Sequence, residues 1–297
     1  MCPASDINGF ERYWRRRKPG KTTAIHYASD VRIFFRWANG YTPEDINMHV
    51  IDWFIEWQQS LGRAPSTIRR RIISLRMFFD YYAYSRDKDI ANPVNPRRHY
   101  IDVGKSLPRD IAPPIIENLF NTIGDHHRDR AMFTLMLHCG LRVGEVVALQ
   151  IEDVLFRESK PTRLRVLGKG QKERIVFLST TAALWLSEYI AQRPSTQFTP
   201  IFLNKRGNPI SVTGIQLQLG SYCHKAEIWV TCHQLRHTFA TRMIEGGMAV
   251  TSLQKLLGHT SIRTTQRYIR VSDIQVEKDN QKSVQTLIEH DHSVEVC

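Results

Sequence analysis

The stretch Arg163-Leu164-Arg165-Val166-Leu167, followed by Gly168-Lys169-Gly170-Gln171-Lys172 and then by Arg174-Ile175-Val176-Phe177-Leu178, decides the fold class. Two short runs of alternating character flank a connection that holds two glycines, which predicts a pair of strands joined by an exposed turn. Outward from this pair the apolar residues recur at helical spacing instead. Helices are expected at about 115–123, 129–138 and 143–150 before it, and at about 181–192, 213–226, 232–245 and 249–257 after it. Gly258 suits the left-handed cap of the last of these. The chain therefore reads as mainly α with a small β-sheet.

Further toward the N-terminus the pattern is helical from about Thr22 onward. One helix starts near Thr22-Thr23 and carries Tyr27, Val31, Phe34, Phe35 and Ala38, and a second starts at Thr42-Pro43 with Ile46, Val50, Phe54 and Trp57. A third follows Ser66-Thr67, with Ile68, Ile72, Leu75, Phe79 and Tyr82 as its apolar seam. Arg69, Arg70 and Arg76 fall away from that seam, either as a solvated face or as a row of guanidiniums for a polyanion. Asn92-Pro93-Val94-Asn95-Pro96 and Leu107-Pro108 interrupt regular structure, because proline has no amide donor and restricts its predecessor. The expected organisation is a helical domain over 1–95, a linker over 96–108, a mixed α+β domain over 109–270 and a tail over 271–297.

The 297 residues hold 41 Lys and Arg against 29 Asp and Glu, a formal charge of +12 that suits a polyanionic partner such as nucleic acid. Residues 271–297 reverse the sign with 2 basic and 6 acidic side chains. No apolar run reaches the ~20 residues of a membrane span and no secretory signal opens the chain, so a cytoplasmic protein is expected. The 5 cysteines are odd in number and lack close CxxC spacing, which favours reduced thiols. Cys223-His224 and Cys232-His233 repeat a metal-capable pair, but without recognised ligand spacing they read as buried or incidental residues.

Four segments stand out for their chemistry: Gly140-Leu141-Arg142, Lys169 on its turn, His233-Gln234-Leu235-Arg236-His237, and Leu257-Gly258-His259 with Tyr268 beyond. In this order and spacing they closely resemble the tyrosine recombinases, a family that includes phage integrases and chromosome-dimer resolving recombinases. The resemblance is strongest from Leu137 to Tyr268 and looser in the helical first half, where Thr23, Tyr27 and Asp30 are similar to the core-binding domain of the family. Cys139 and Gly144 stand where Thr and Ser are frequent. The resemblance implies a helical, DNA-clamping core-binding domain followed by a catalytic domain of tyrosine recombinase type.

The chemistry explains the residue types. Attack on a phosphodiester passes through a pentacoordinate phosphorane with extra negative charge on its nonbridging oxygens, so donors must be fixed where that charge develops. Arg142 and Arg236 are the expected clamps, since guanidinium is permanently charged and forked toward phosphate oxygens. His233 lies three residues before Arg236 on one helix face, and His259 is expected to add a donor. A phenol with a pKa near 10 needs a base or positive surroundings to attack at neutral pH, which is the expected role of this set around Tyr268. Glu145 is expected to orient the site.

By resemblance, His233 assists proton removal from the nucleophile Tyr268 and Lys169 is the general acid, with Lys172 as its local rival. His237 is read as structural support. The product is then a 3′-phosphotyrosyl bond and a free 5′-hydroxyl, formed without a metal or nucleotide cofactor. The resemblance also implies double-stranded DNA as partner and a homotetramer, or a heterotetramer with a second recombinase, in which the tail contacts a neighbouring subunit. A type IB topoisomerase and a noncatalytic DNA-binding scaffold are the alternatives.

Overall fold

The computed structural model describes residues 4–19, 22–86, 90–104, 110–168 and 173–258, and the chain divides into two compact units, Met1–Lys105 and Ser106–Cys297. Among the described residues the first unit contains α1 (Ala4–Arg17), α2 (Thr23–Trp37), α3 (Met48–Ser60) and α4 (Pro65–Arg86). The helix expected from Pro43 starts later. Pro43–Asp45 is a single 3-10 turn held by Thr42, whose N–H donates to Asp45 Oδ2 at 2.8 Å. Asn47 then caps α3, its Oδ1 accepting from the backbone N–H groups of His49 and Val50 at 2.9 and 3.2 Å, two donors that the helix itself leaves unpaired.

Phe10, Phe34, Phe54, Phe78 and Phe79 are fully buried in this unit. Phe10 meets Phe78 edge to face at 5.5 Å, and Phe34 meets Phe54 at 5.0 Å. Burying each such ring stabilises the unit by about 2–3 kcal/mol, and edge-to-face pairing adds specificity of geometry. Helix α4 turns Ile68, Ile72, Leu75, Phe79 and Tyr82 inward and leaves Arg69, Arg70 and Arg76 exposed, as its seam predicts. One acidic group lies inside: Asp30 of α2 is buried, accepts from Ser74 Oγ at 2.8 Å and pairs with Arg70.

In the second unit the described elements are α5 (Pro113–Ile123), α6 (His127–Cys139), α7 (Val143–Ala148), β1 (Val154–Arg157), β2 (Lys160–Leu167), β3 (Glu173–Phe177), α8 (Thr180–Gln192), α9 (Val212–Lys225), α10 (Cys232–Glu245) and α11 (Val250–Leu257). Helix α6 is central: Ala131, Met132, Phe133, Leu135 and Met136 are all fully buried, with α8 and α10 packed on it. A helix apolar around most of its circumference needs covering on several sides, and this one has it.

The sheet is antiparallel in the order β1-β2-β3. In the outer pair, Leu164 stands opposite Val176 and Val166 opposite Arg174, so Leu164, Val166 and Val176 face the core while Ile175 and Phe177 face outward. Strand β1 extends the expected strand pair to three strands. Its hairpin with β2 turns on Glu158 and Ser159, both left-handed with φ of 49° and 65°, instead of on glycine or asparagine. Among the described residues no helix is long and apolar enough to cross a membrane.

Candidate active site

The site is built from the end of α6 onward. Gly140 closes that helix in the left-handed conformation at φ 66° and ψ 26°, where a residue with a Cβ is strained, and a Cβ here would also overlap the Phe239 ring. The glycine thus lets the chain turn tightly against α10, and its carbonyl accepts a hydrogen bond from the Arg236 guanidinium. Arg142 follows as the residue that starts α7, and Glu145 reaches back so that Arg142 N–H donates to its Oε2 at 2.8 Å. Gly144, which stands where the recombinases often have Ser, has open space around its Cβ position, so either residue fits.

Glu145 is the hub of the arrangement. Arg142 Nη1 donates to its Oε1 at 2.7 Å, Arg174 donates through Nη1 and Nη2 to Oε1 and Oε2 at 3.0 and 2.8 Å, and Arg236 Nη1 lies 3.6 Å from Oε2. Burial by itself raises the Glu145 carboxyl, but the hydrogen bonds from Arg174 and from the Arg142 backbone outweigh it and hold the group below the usual carboxylate range. The backbone at the end of α11 supplies a second anchor. Leu257 C=O accepts from Arg142 Nη1 at 3.3 Å and from Arg236 Nη2 at 2.8 Å, and Leu256 C=O accepts from Arg174 Nε at 2.8 Å. Gly258 ends α11 at φ 63° and ψ 43°, the left-handed cap its sequence predicts.

Helix α10 delivers His233 and Arg236. Thr231 caps it, with its Oγ1 accepting from Gln234 N–H at 3.2 Å and its own N–H donating to Gln234 Oε1 at 2.9 Å, so the helix starts one residue before His233. Arg236 is 3% exposed, and the Arg142 side chain keeps 39% of its surface open. His237, expected as support, stands beside His233: their Nε2 atoms are 2.7 Å apart and the rings meet edge to face. One nitrogen of that contact donates and the other accepts, so the two rings carry complementary protonation at the facing positions.

Arg142, His233 and Arg236 open onto one cavity of about 750 Å³, which Leu219, Cys223, Ile228 and Trp229 also line. The structure thus brings together Arg142, Glu145, His233 and Arg236, and adds Arg174, which the sequence marks only as the start of a strand. Lys169, Lys172, His259 and Tyr268 lie outside the described residues. Arg69, Arg70 and Arg76 are on α4 in the other unit. Burial pushes the Cys232 thiol up to about 11 and that of Cys139 up to about 12, which disfavours the nucleophilic thiolate at both. Among the described residues no group of three or more His, Cys, Asp or Glu could hold a metal ion.

Comparison with known proteins identifies the family. Residues 110–274 match the model of the phage integrase family, and residues 7–86 match the phage integrase N-terminal SAM-like domain. The chain belongs to the phage integrase family. It is 33% identical over 268 residues to the tyrosine recombinase XerD of Lacticaseibacillus casei, covering 85% of this chain and 89% of that one. It is 30% identical over 281 residues to the tyrosine recombinase XerD of Pseudomonas putida, covering 89% and 92%. Like these family members it is a tyrosine-type site-specific DNA recombinase.

Solved structures agree on the fold. The XerH site-specific recombinase bound to palindromic difH substrate in a post-cleavage complex matches with a TM-score of 0.75 at 19% identity, covering 94% of this chain and 84% of that one. The Tn1549 transposon integrase in complex with transposon right end DNA matches at 0.73 and 18% identity, covering 94% and 99%. The mainly helical architecture with its small antiparallel sheet is that of the phage integrase family.

Proposed function

We propose that this recombinase cuts double-stranded DNA at specific sites by attack of the Tyr268 hydroxyl on a phosphodiester, and rejoins the strand to a different 5′-hydroxyl. The observation that carries the reading is that Arg142, His233 and Arg236 line one cavity while a single carboxylate, Glu145, holds both arginines. Guanidiniums fixed before the reaction need no reorganisation as charge grows on the phosphorane oxygens. Arg142 and Arg236 stabilise those oxygens, His259 donates to them, and Glu145 orients the clamp. His233 receives the phenol proton as the Tyr268 oxygen bonds to phosphorus. The bond to the 5′-oxygen breaks, and Lys169 supplies the proton that this oxygen takes. The reverse reaction uses the same groups, so the phosphotyrosyl bond conserves the energy needed for rejoining, and neither a metal ion nor a nucleotide enters the cycle.

In this reading residues 1–95 clamp DNA from α4 through Arg69, Arg70 and Arg76, residues 96–108 link the domains, and residues 109–270 carry the chemistry. Residues 271–297 contact a neighbouring subunit in a homotetramer or a heterotetramer with a second recombinase. Solved relatives crystallised with difH, transposon-end and core-site DNA support DNA as the partner, the last as a dimer. The work is done in the cytoplasm, where the bacterial relatives have their DNA.

The test is covalent capture. DNA trapped on the wild-type protein in cells is sequenced, a duplex with the recovered site is made, and the reaction is resolved by denaturing electrophoresis. Tyr268→Phe is expected to lose the covalent complex entirely and to bind the duplex with nearly unchanged affinity, because only a hydroxyl is removed while phosphate contacts dominate binding. Covalent capture by that variant would move the nucleophile elsewhere.

A further inference from the structure

Arg174 touches both supports of the phosphate clamp. Its Nη1 and Nη2 engage the two oxygens of Glu145 at 3.0 and 2.8 Å, and its Nε engages Leu256 C=O at 2.8 Å. Those same supports hold Arg142 and Arg236: Glu145 pairs with each of them, and the adjacent Leu257 C=O accepts from each. Arg174 itself is 10% exposed at its side chain and is not among the residues lining the cavity, so it does not face the place where a phosphate would sit. Three guanidiniums share one carboxylate, and without fixed partners like charges at this spacing would move apart. A fork whose sides and end are all bonded is what keeps the carboxylate and the carbonyl turn at a set separation.

We infer that Arg174 is a positioning residue for strand cleavage, fixing Glu145 and the Leu256–Leu257 turn so that Arg142 and Arg236 meet the scissile phosphate together. The inference rests on the reading of those two arginines as the phosphate clamp. Lysine at 174 keeps the positive charge but offers a single ammonium that cannot span both oxygens and the carbonyl. Gly258 provides a second way to disturb the same group: a Cβ there would lie 3.1 Å from Arg174 Nη1 and 3.3 Å from its Cδ, and the position is left-handed besides.

The experiment measures single-turnover covalent complex formation by the full-length protein on two duplexes carrying the recovered site. One has an ordinary scissile phosphodiester and the other a methylphosphonate, in which a methyl group replaces a charged nonbridging oxygen and so removes much of the demand for the clamp. Arg174→Lys and Gly258→Ala are expected to slow cleavage of the ordinary duplex by roughly 10- to 100-fold, below the 10²–10³ typical of losing a transition-state donor outright. On the methylphosphonate each is expected within ~3-fold of the wild-type protein on that substrate, since the group they misplace is no longer needed.

Arg142→Ala, run in parallel, separates the two ideas. If Arg142→Ala is relieved by the methylphosphonate and both other variants are equally impaired on both duplexes, Arg174 does not act through the clamp and the inference fails alone. If Arg142→Ala is not relieved either, the clamp reading fails and takes the inference with it. Wild-type rates for Arg174→Lys on the ordinary duplex also overturn it. A third duplex with a 5′-bridging phosphorothiolate, whose sulfur leaves without a proton donor, provides the remaining outcome: relief there and not on the methylphosphonate would overturn the inference and tie Arg174 to the action of Lys169 instead.

Discussion

Asp30 in the first unit and Glu145 in the second are both buried carboxylates on which arginines converge, and they leave those arginines in different states. Asp30 takes the tip of Arg70, 46% of whose side chain stays exposed, lies 3.8 Å from the covered Arg71 Nε, and accepts from Ser74 Oγ. Arg69 and Arg76 on the same helix lie open to solvent. Glu145 gathers three guanidiniums: the Arg174 and Arg236 side chains are only 10% and 4% exposed, while Arg142 keeps 39% open toward the cavity. Charges held under cover interact through a low dielectric and are already oriented, which suits stabilising charge that develops at one point. Charges on an exposed helix are screened and adaptable, which suits following a long phosphate backbone. On the proposed reading, the same pairing chemistry serves catalysis in one unit and binding in the other.

Removing the Glu145 charge tests this contrast most severely. Glu145→Gln keeps the shape but leaves three guanidiniums around a neutral amide, so single-turnover cleavage is expected to fall by roughly 10²–10³ while duplex affinity stays within a few-fold. Breaking one partner out of a buried ionic cluster also costs stability, on the order of 3–5 kcal/mol, visible in the urea midpoint. Cleavage within a few-fold of wild type would mean that the buried cluster is scaffolding and that the two carboxylates differ only in depth.

Among the described residues Arg142, Glu145, His233 and Arg236 are legible as a group in the amino-acid order, and Arg174 is not, for a physical reason. His233 and Arg236 share a helix face by spacing, and Gly258 declares its left-handed cap, while the like cap at Gly140 emerges only in the structure. Arg174 is different, because its partners are 29 and 82 residues away and no local period announces them. One signal did exist: alternation along β3 puts Arg174 on the same side as buried Val176, and a cation on the core side of a strand requires a buried partner. Strand β1 went unread because its turn residues, Glu158 and Ser159, carry none of the usual glycine or asparagine chemistry. Helix α1 buries Ile7 and Phe10 and packs Trp14 partly against the core, a short apolar stripe interrupted by Gly9, a residue that disfavours helix. That glycine has its reason in packing, since a Cβ on it would lie 2.5 Å from the Tyr81 hydroxyl.

The depressed Glu145 carboxyl gives the contrast a pH signature. Its folded pKa lies below the ordinary value of 4.5 despite burial, owing to the Arg174 and Arg142 hydrogen bonds. The stabilisation from that shift is fully present above the unfolded pKa and is lost as pH falls through 4.5 toward the folded pKa. Urea midpoints measured for wild type and Glu145→Gln from neutral pH downward are expected to be furthest apart at neutral pH and to converge below the ordinary carboxylate range. A gap that stays constant through that range would show that Glu145 titrates alike in the folded and unfolded chain.

The smallest effect expected is in the first unit, and it concerns how many ions DNA binding displaces. Each arginine that replaces condensed cations at a phosphate contributes roughly 0.9 to the slope of log affinity against log salt. Arg69 and Arg76 are exposed on α4, and Arg69 also lies 5.6 Å over the Tyr100 ring, which restricts its stem without neutralising its charge. Arg70 already has Asp30 as its counter-charge, so a phosphate that approaches it must compete with a buried carboxylate. Arg69→Ala and Arg76→Ala are therefore each expected to reduce the slope by about 1, Arg70→Ala by clearly less, and the triple variant by about 2. Titrations of the Tyr268→Phe protein against the recovered duplex at several salt concentrations measure this without interference from cleavage. An unchanged slope in the triple variant would make all three a solvated face. An equal fall at all three positions would show that Asp30 releases Arg70 to DNA, so that the exposed cluster is as free as the buried one is fixed.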